Sequence, residues 1–287
     1  MTPSYRSHRY RSADGRLTLF ARDYPGDGAP LLLMHGLTRN SADFEPLARR
    51  LAGPHRLIVP DQRGRGLSDP DPQPANYRPD IYTLDMWALL DGLGIDRVGL
   101  IGTSMGGLMA MIMTAVHSDR VSLIVLNDIG PELMPEGLER IRGYAGGSDP
   151  AADWDEAAGR CAAINGAAFP DFTAADWAAF ARRACTELPD GRVALAYDPA
   201  IGEAIQGETP AVAPPNLWPL WDSLSIVPIL LLRGALSDVL STATAENMGR
   251  RHAGVFSRVD IAGRGHAPIL DEPDAVAAIE AFLDRHA

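Results

Sequence analysis

Arg97-Val98-Gly99-Leu100-Ile101-Gly102-Thr103-Ser104-Met105-Gly106-Gly107-Leu108-Met109-Ala110 decides how the rest of the chain is read. Val98 to Ile101 is a short apolar run of the kind a strand buried on both faces shows. Leu108 to Met113 is apolar again, and it follows the turn as the start of a helix. Between them stands Gly-x-Ser-x-Gly. Gly102 and Gly106 carry no Cβ, so strand and helix can close on each other across the turn. Ser104 is thereby expected at the tip of a sharp elbow with its hydroxyl exposed. It also stands at a helix N-terminus, where free N–H groups and the helix dipole favour a developing negative charge.

Working outward, the same rhythm of apolar strand, polar loop and helix recurs. Leu17 to Tyr24 is expected to pair with Tyr5 to Ser12 in a hairpin across Ala13-Asp14-Gly15. Pro30 to Met34 is a buried strand ending at His35-Gly36, and Phe44, Leu47, Ala48 and Leu51 mark the helix that follows. Arg56 to Val59 is a strand that leads into Asp61-Gln62-Arg63-Gly64-Arg65-Gly66. Asp80 to Leu93 reads as a helix. Val121 to Leu126, Pro228 to Arg233 and Val255 to Asp260 are further strands, and Pro273 opens a closing helix. Such alternation predicts a mostly parallel, doubly wound α/β sheet of the eight-stranded type with helices on both faces. His35, Ser104, Asp128, Asp238 and His266 all fall just after a strand, at the sheet edge where ligands of such folds collect.

The rhythm breaks between Pro131 and Ser225. That stretch is alanine-rich and has no strong strand pattern. Residues 132–225 hold 15 acidic and 6 basic residues and four of the five tryptophans. It is read as a helical cap inserted between core segments 1–130 and 226–287.

Composition excludes several classes. The chain has 287 residues, a net charge of −11 and no lysine. Schiff-base chemistry on lysine, a lysine-bound pyridoxal group and a Gly-Lys-Ser/Thr phosphate loop are therefore ruled out. The acidic balance argues against nucleic acid and anionic membrane surfaces as partners. No apolar run reaches the roughly 18 residues a membrane helix needs. Met1 to Ser12 lacks the apolar stretch of a secretory signal, so a cytoplasmic protein is expected. Cys161 and Cys185 do not have the spacing of a metal or redox pair.

A serine hydroxyl needs a base, and the base needs an orienting group. Ser104, Asp238 and His266 stand in the order nucleophile, acid, base. Here the chain resembles the α/β-hydrolase fold superfamily, in its capped, single-domain serine esterase form, over about residues 16–130 and 226–286. The resemblance rests on His35-Gly36, Asp61-x-Arg-Gly-x-Gly, Gly102-Thr103-Ser104-Met105-Gly106, Asp238 after a strand ending in Arg233-Gly234, and Gly265-His266. It implies hydrolysis through an acyl-enzyme, with neither metal nor cofactor and with a small-molecule substrate. His266 would be the general base and Asp238 its orienting acid. The backbone N–H groups of Leu37 and Met105 would form the oxyanion hole. Asp128 is the alternative acid, since some members of the fold place it after that strand. His35 competes with His266 by position, but its place in the family is a structural loop. Asp61 and Arg63 are expected to brace their loop, and Trp154, Trp177, Trp218 and Trp221 are read as mostly core of the cap, those that are not being candidates to line the pocket.

The first expectation for the substrate is a small apolar ester or lactone. A carbon–carbon bond hydrolase acting on ring-cleavage products is the alternative enzyme. It would want arginines near the site, for which Arg39, Arg140, Arg142, Arg182 and Arg183 are available. A receptor that retains the triad is the alternative outside enzymes. Dehalogenases and epoxide hydrolases of this resemblance carry aspartate where Ser104 stands.

Overall fold

The computed structural model describes residues 4–147, 149–206, 216–224 and 226–287. Residues 1–3, at the start of the N-terminal stretch read for a signal, lie outside it. So do residues 148, 207–215 and 225 of the expected cap.

Eight strands form one sheet: β1 Arg6–Arg11, β2 Thr18–Tyr24, β3 Gly26–Met34, β4 Gly53–Asp61, β5 Val98–Thr103, β6 Val121–Asn127, β9 Ile229–Gly234 and β10 Phe256–Ile261. Their order across the sheet is β1-β2-β4-β3-β5-β6-β9-β10. The β1–β2 and β2–β4 pairs are antiparallel, and β4 to β10 run parallel. Successive strand residues face opposite sides, and both sides are apolar. Leu31, Leu33, Ile101, Leu123, Val125, Leu230 and Leu232 pack with α1 Glu45–Leu51 and α10 Pro273–His286. Leu32, Met34, Leu100, Ile124, Leu126 and Leu231 pack on the other side. Their partners there are α2 Pro79–Gly92, α3 Met105–Val116 and α9 Thr242–Arg251.

Two strands begin earlier than the apolar pattern suggests. Gly26 and Gly53 start β3 and β4, where a Cβ on Gly26 would fall 2.1 Å from the carbonyl oxygen of His55. That approach is held by backbone contact alone, so no hydrophobic period announces it.

Between β6 and β9 the chain leaves the sheet. It forms α4 Pro135–Tyr144, α5 Trp154–Asn165, α6 Ala174–Ala184, α7 Ala200–Gln206 and α8 Trp218–Asp222. Thr173 and Asp176 close a reciprocal capping box at the start of α6. A small antiparallel pair, β7 Cys185–Glu187 with β8 Val193–Leu195, also lies here, where no strand was expected. Three residues per strand are too few for an alternation to register.

The excursion is tied back to the glycine-rich loop after β4. The Gly66 N–H donates to Ala196 O at 2.8 Å, and the Asp198 N–H donates to Gly64 O at 2.7 Å. No helix among the described residues is long and apolar enough to cross a membrane.

Candidate active site

Ser104 joins β5 to α3 with φ 52° and ψ −115°, a left-handed conformation that non-glycine residues adopt rarely. The surroundings enforce it. A Cβ on Gly102 would fall 2.3 Å from Gly106, and one on Gly106 would fall 2.0 Å from the carbonyl oxygen of Met34. The Ser104 N–H is anchored to Asn127 O on the neighbouring strand at 2.9 Å.

The Ser104 hydroxyl lies 2.8 Å from Nε2 of His266. His266 comes from the loop after β10, and its ring is buried. Its Nδ1 lies 2.8 Å from Oδ2 of Asp128, which is fully buried directly after β6. Three further donors hold this carboxylate loop in place. The Gly234 N–H reaches Oδ1 at 2.8 Å, the Ser237 hydroxyl reaches Oδ2 at 2.6 Å, and the Asp128 N–H itself donates to Leu232 O at 2.8 Å. Asn127, one residue earlier, donates from its side-chain amide to Thr103 Oγ1 at 3.0 Å and to Pro268 O at 2.7 Å. The nucleophile strand and the histidine loop thus meet on the same residue.

Asp238 does not occupy the expected place behind His266. Its two oxygens accept from Nε and NH2 of Arg140 on α4, at 2.5 and 2.8 Å. Burial pushes the Asp238 carboxyl up, and the Arg140 hydrogen bonds and charge outweigh it, leaving it below the ordinary carboxylate value. The bidentate contact with Arg140 holds the Asp238 carboxylate, and the two acids also differ in how they leave their strands. Asp128 follows β6 without a gap, and β6 is the sheet neighbour of β5. Asp238 follows β9, one strand further away, with three residues interposed. That difference in reach was legible; which strand neighbours β5 was not.

The loop from Gly36 to Arg39 faces the serine. The amides of Leu37 and Met105 have no acceptor among the described residues, and both residues border the same cavity as Ser104. Arg65 supports this loop by donating from Nε to Leu37 O at 3.0 Å. His35 turns away from the serine. Its ring is buried, with Nδ1–H donating to Gly36 O at 2.7 Å and Nε2 accepting from the Gln62 N–H at 3.2 Å. Burial pulls its pKa down to about 3, so the ring is neutral.

Asp61 and Arg63 brace their loop and tie it to neighbouring elements. Asp61 accepts from the Ser41 and Leu67 N–H groups at 2.6 and 2.9 Å. Arg63 donates to Asp85 at 2.6 and 2.9 Å and to Asp71 at 2.8 Å, with its side chain almost wholly buried.

The cavity has a volume of about 290 Å³ and is mostly apolar. Its aromatic walls are Phe44, Tyr144, Phe169, Phe180 and Tyr197, and no tryptophan is among the residues that line it. The candidate indoles lie elsewhere. Trp154 donates to Glu187 at 2.9 Å and Trp218 to Glu132 at 3.2 Å. Trp177 packs against Phe169, Phe172 and Phe180 inside the helical segment. Trp221 is fully buried, with its N–H on Met248 O at 3.2 Å. For Trp221 the buried indole donor is thereby satisfied, as burial requires.

A hydroxyl bonded to an imidazole that is itself backed by a buried carboxylate can give up its proton as it attacks a carbonyl carbon. Known proteins share the chain's sequence and fold. A 3-hydroxybutyrate-oligomer hydrolase of Cupriavidus necator is 32% identical over 264 residues, covering 90% of this chain and 89% of its own. The crystal structure of an α/β hydrolase from Novosphingobium aromaticivorans superposes with a TM-score of 0.91 at 43% identity, covering 99% of each chain. That of an E-2-(acetamidomethylene)succinate hydrolase superposes with a TM-score of 0.81 at 26% identity, covering 98% of this chain and 100% of that one. The alpha/beta hydrolase fold family model matches residues 29–176, and with these relatives it establishes that the chain belongs to the α/β-hydrolase fold family.

Proposed function

We propose that this chain is a serine hydrolase that cleaves an ester of a short hydroxy acid through an acyl-enzyme. The carrying observation is the unbroken hydrogen-bonded series Ser104–His266–Asp128 opening onto an apolar cavity. Ser104 Oγ attacks the ester carbonyl and its proton passes to Nε2 of His266. The imidazolium then protonates the departing alkoxide. Asp128 holds the ring with Nδ1–H toward itself and Nε2 free to accept. The Leu37 and Met105 amides receive the oxyanion, each contributing roughly 2.7–4 kcal/mol to the barrier reduction. Water, activated by the same histidine, releases the acid.

Residues 131–225 act as the cap that shapes the acyl and leaving-group sites. The oligoester substrate named for the Cupriavidus necator relative supports the hydroxy-acid reading, because the likeness extends across nearly all of both chains.

The test measures release of 3-hydroxybutyrate from its linear dimer, alongside p-nitrophenyl butyrate and a dienoate ring-cleavage product, with wild type and Ser104→Ala. Wild type is expected to cleave both esters, and the variant to lose at least about 10⁴ in kcat while keeping its fold. Full activity in Ser104→Ala would remove the serine from the mechanism. Faster turnover of the dienoate than of any ester would reassign the enzyme to carbon–carbon cleavage.

A further inference from the structure

Among the charged side chains lining the cavity, one cation is unspoken for. Arg39 donates to Asp43 from Nε at 2.8 Å and from its second nitrogen, and it lies over the Phe180 ring at 3.8 Å. The Arg39 and Asp43 charges therefore cancel at the cavity wall. Arg142, on α4, also lines the cavity, and its side chain has no ion pair or hydrogen bond among the described residues. It does not pair with Glu139 one helical turn back, although such a spacing favours ion pairs. Its neighbour Arg140 is committed to Asp238. Arg182 is committed as well, stacked on Trp154 at 3.8 Å.

Among the described residues the cavity thus carries one uncompensated positive charge, in a chain of net charge −11. An anionic ligand approaching such a chain is repelled, and a cation at the entrance reverses the field locally. We propose that Arg142 binds the free carboxylate of the substrate and selects hydroxy-acid esters that end in an acid over their neutral counterparts. The guanidinium presents paired N–H donors that match a carboxylate in bidentate fashion. In a linear hydroxy-acid dimer the carboxylate belongs to the leaving half, a few atoms from the scissile ester. A cation on α4, in the wall of the same cavity as Ser104, would therefore orient the leaving group. This assignment rests on the reading of the cavity as an ester site.

The experiment uses p-nitrophenyl butyrate hydrolysis as reporter. Competition is measured with the linear 3-hydroxybutyrate dimer and with its methyl ester, in wild type and in Arg142→Gln. Wild type is expected to be inhibited about tenfold more tightly by the free acid than by the methyl ester. Arg142→Gln should lose that preference while hydrolysing the neutral reporter as before. Equal inhibition by acid and methyl ester in wild type, or an unchanged preference in the variant, would overturn the assignment. A variant that loses the reporter activity as well would also overturn it, by showing that Arg142 shapes the site and not the choice of ligand. Release of 3-hydroxybutyrate is followed separately. Tight, Arg142-dependent competition without release would sink the proposed substrate and leave the carboxylate site standing.

Discussion

Replacing Asp128 by Asn separates the two candidate acids, and the structure says how. Oδ1 of Asp128 accepts from a backbone N–H, that of Gly234, which cannot reverse its role. The oxygen of an Asn amide must therefore stay on that side. Its NH2 group is forced toward His266 and the Ser237 hydroxyl, where Asp128 now accepts from both. Facing a donor, the imidazole moves its proton to Nε2 and can no longer accept one from Ser104. A wrong tautomer of this kind costs about 10⁴ in kcat, or about 5 kcal/mol of barrier. The expected KM change is small, since no group that meets the substrate is altered. Asp238→Asn breaks only the ion pair with Arg140, whose side chains are 29% and 37% exposed. A pair so open to solvent contributes about 1 kcal/mol or less to stability, and Asp238 does not touch the His266 ring, so kcat is expected to fall by no more than about fivefold. Steady-state hydrolysis of p-nitrophenyl butyrate by both variants decides the matter. A 10³-fold or larger loss in Asp238→Asn with near-normal turnover in Asp128→Asn would refute the assignment of the acid.

Gly106→Ala should destabilise the fold by about 3 kcal/mol, because the new methyl would fall 2.0 Å from a backbone oxygen of β3. An unchanged urea midpoint would show that strand and helix have room to part. The buried His35 makes stability depend on pH. The folded protein keeps this ring neutral down to about pH 3, whereas the unfolded chain takes up its proton near the ordinary value of 6.5. Protons therefore favour the unfolded chain in that window. The contribution is fully present above pH 6.5 and is lost as pH falls, by up to about 1.4 kcal/mol per pH unit. His35→Gln should flatten the stability–pH curve there by close to one proton, and an unchanged slope would place the acid sensitivity elsewhere.

What the sequence made legible followed from periodicity and from residues that leave the backbone little choice. Leu31 to Met34 and Leu123 to Leu126 are apolar on both sides, which only a sheet covered twice requires. Gly102 and Gly106 bracket Ser104 at a spacing that a tight strand-to-helix turn demands. The carboxylate that meets His266 was not legible in the same way. Asp128 and Asp238 both follow strands, and chain order ranks them without regard to which strand lies beside β5. The α4 arginine that captures Asp238 is 98 residues away in sequence. The four tryptophans lie away from the cavity: Trp154, Trp218 and Trp221 donate to acceptors elsewhere and Trp177 packs among phenylalanine rings. The β7–β8 pair escaped notice because pairing, not pattern, defines it.

Asn127 and Asp128 give the site a single datum. From these two residues run the contacts to the serine's backbone, to Thr103, to the histidine loop and to the imidazole itself. If the end of β6 drifts, the attacking oxygen and the ring drift with it, and their relative alignment is preserved, as instruments bolted to one bench keep their focus when the bench is jarred. The helices α4 to α8 supply none of these contacts, so changes there can alter the cavity wall and leave the alignment beneath it in place.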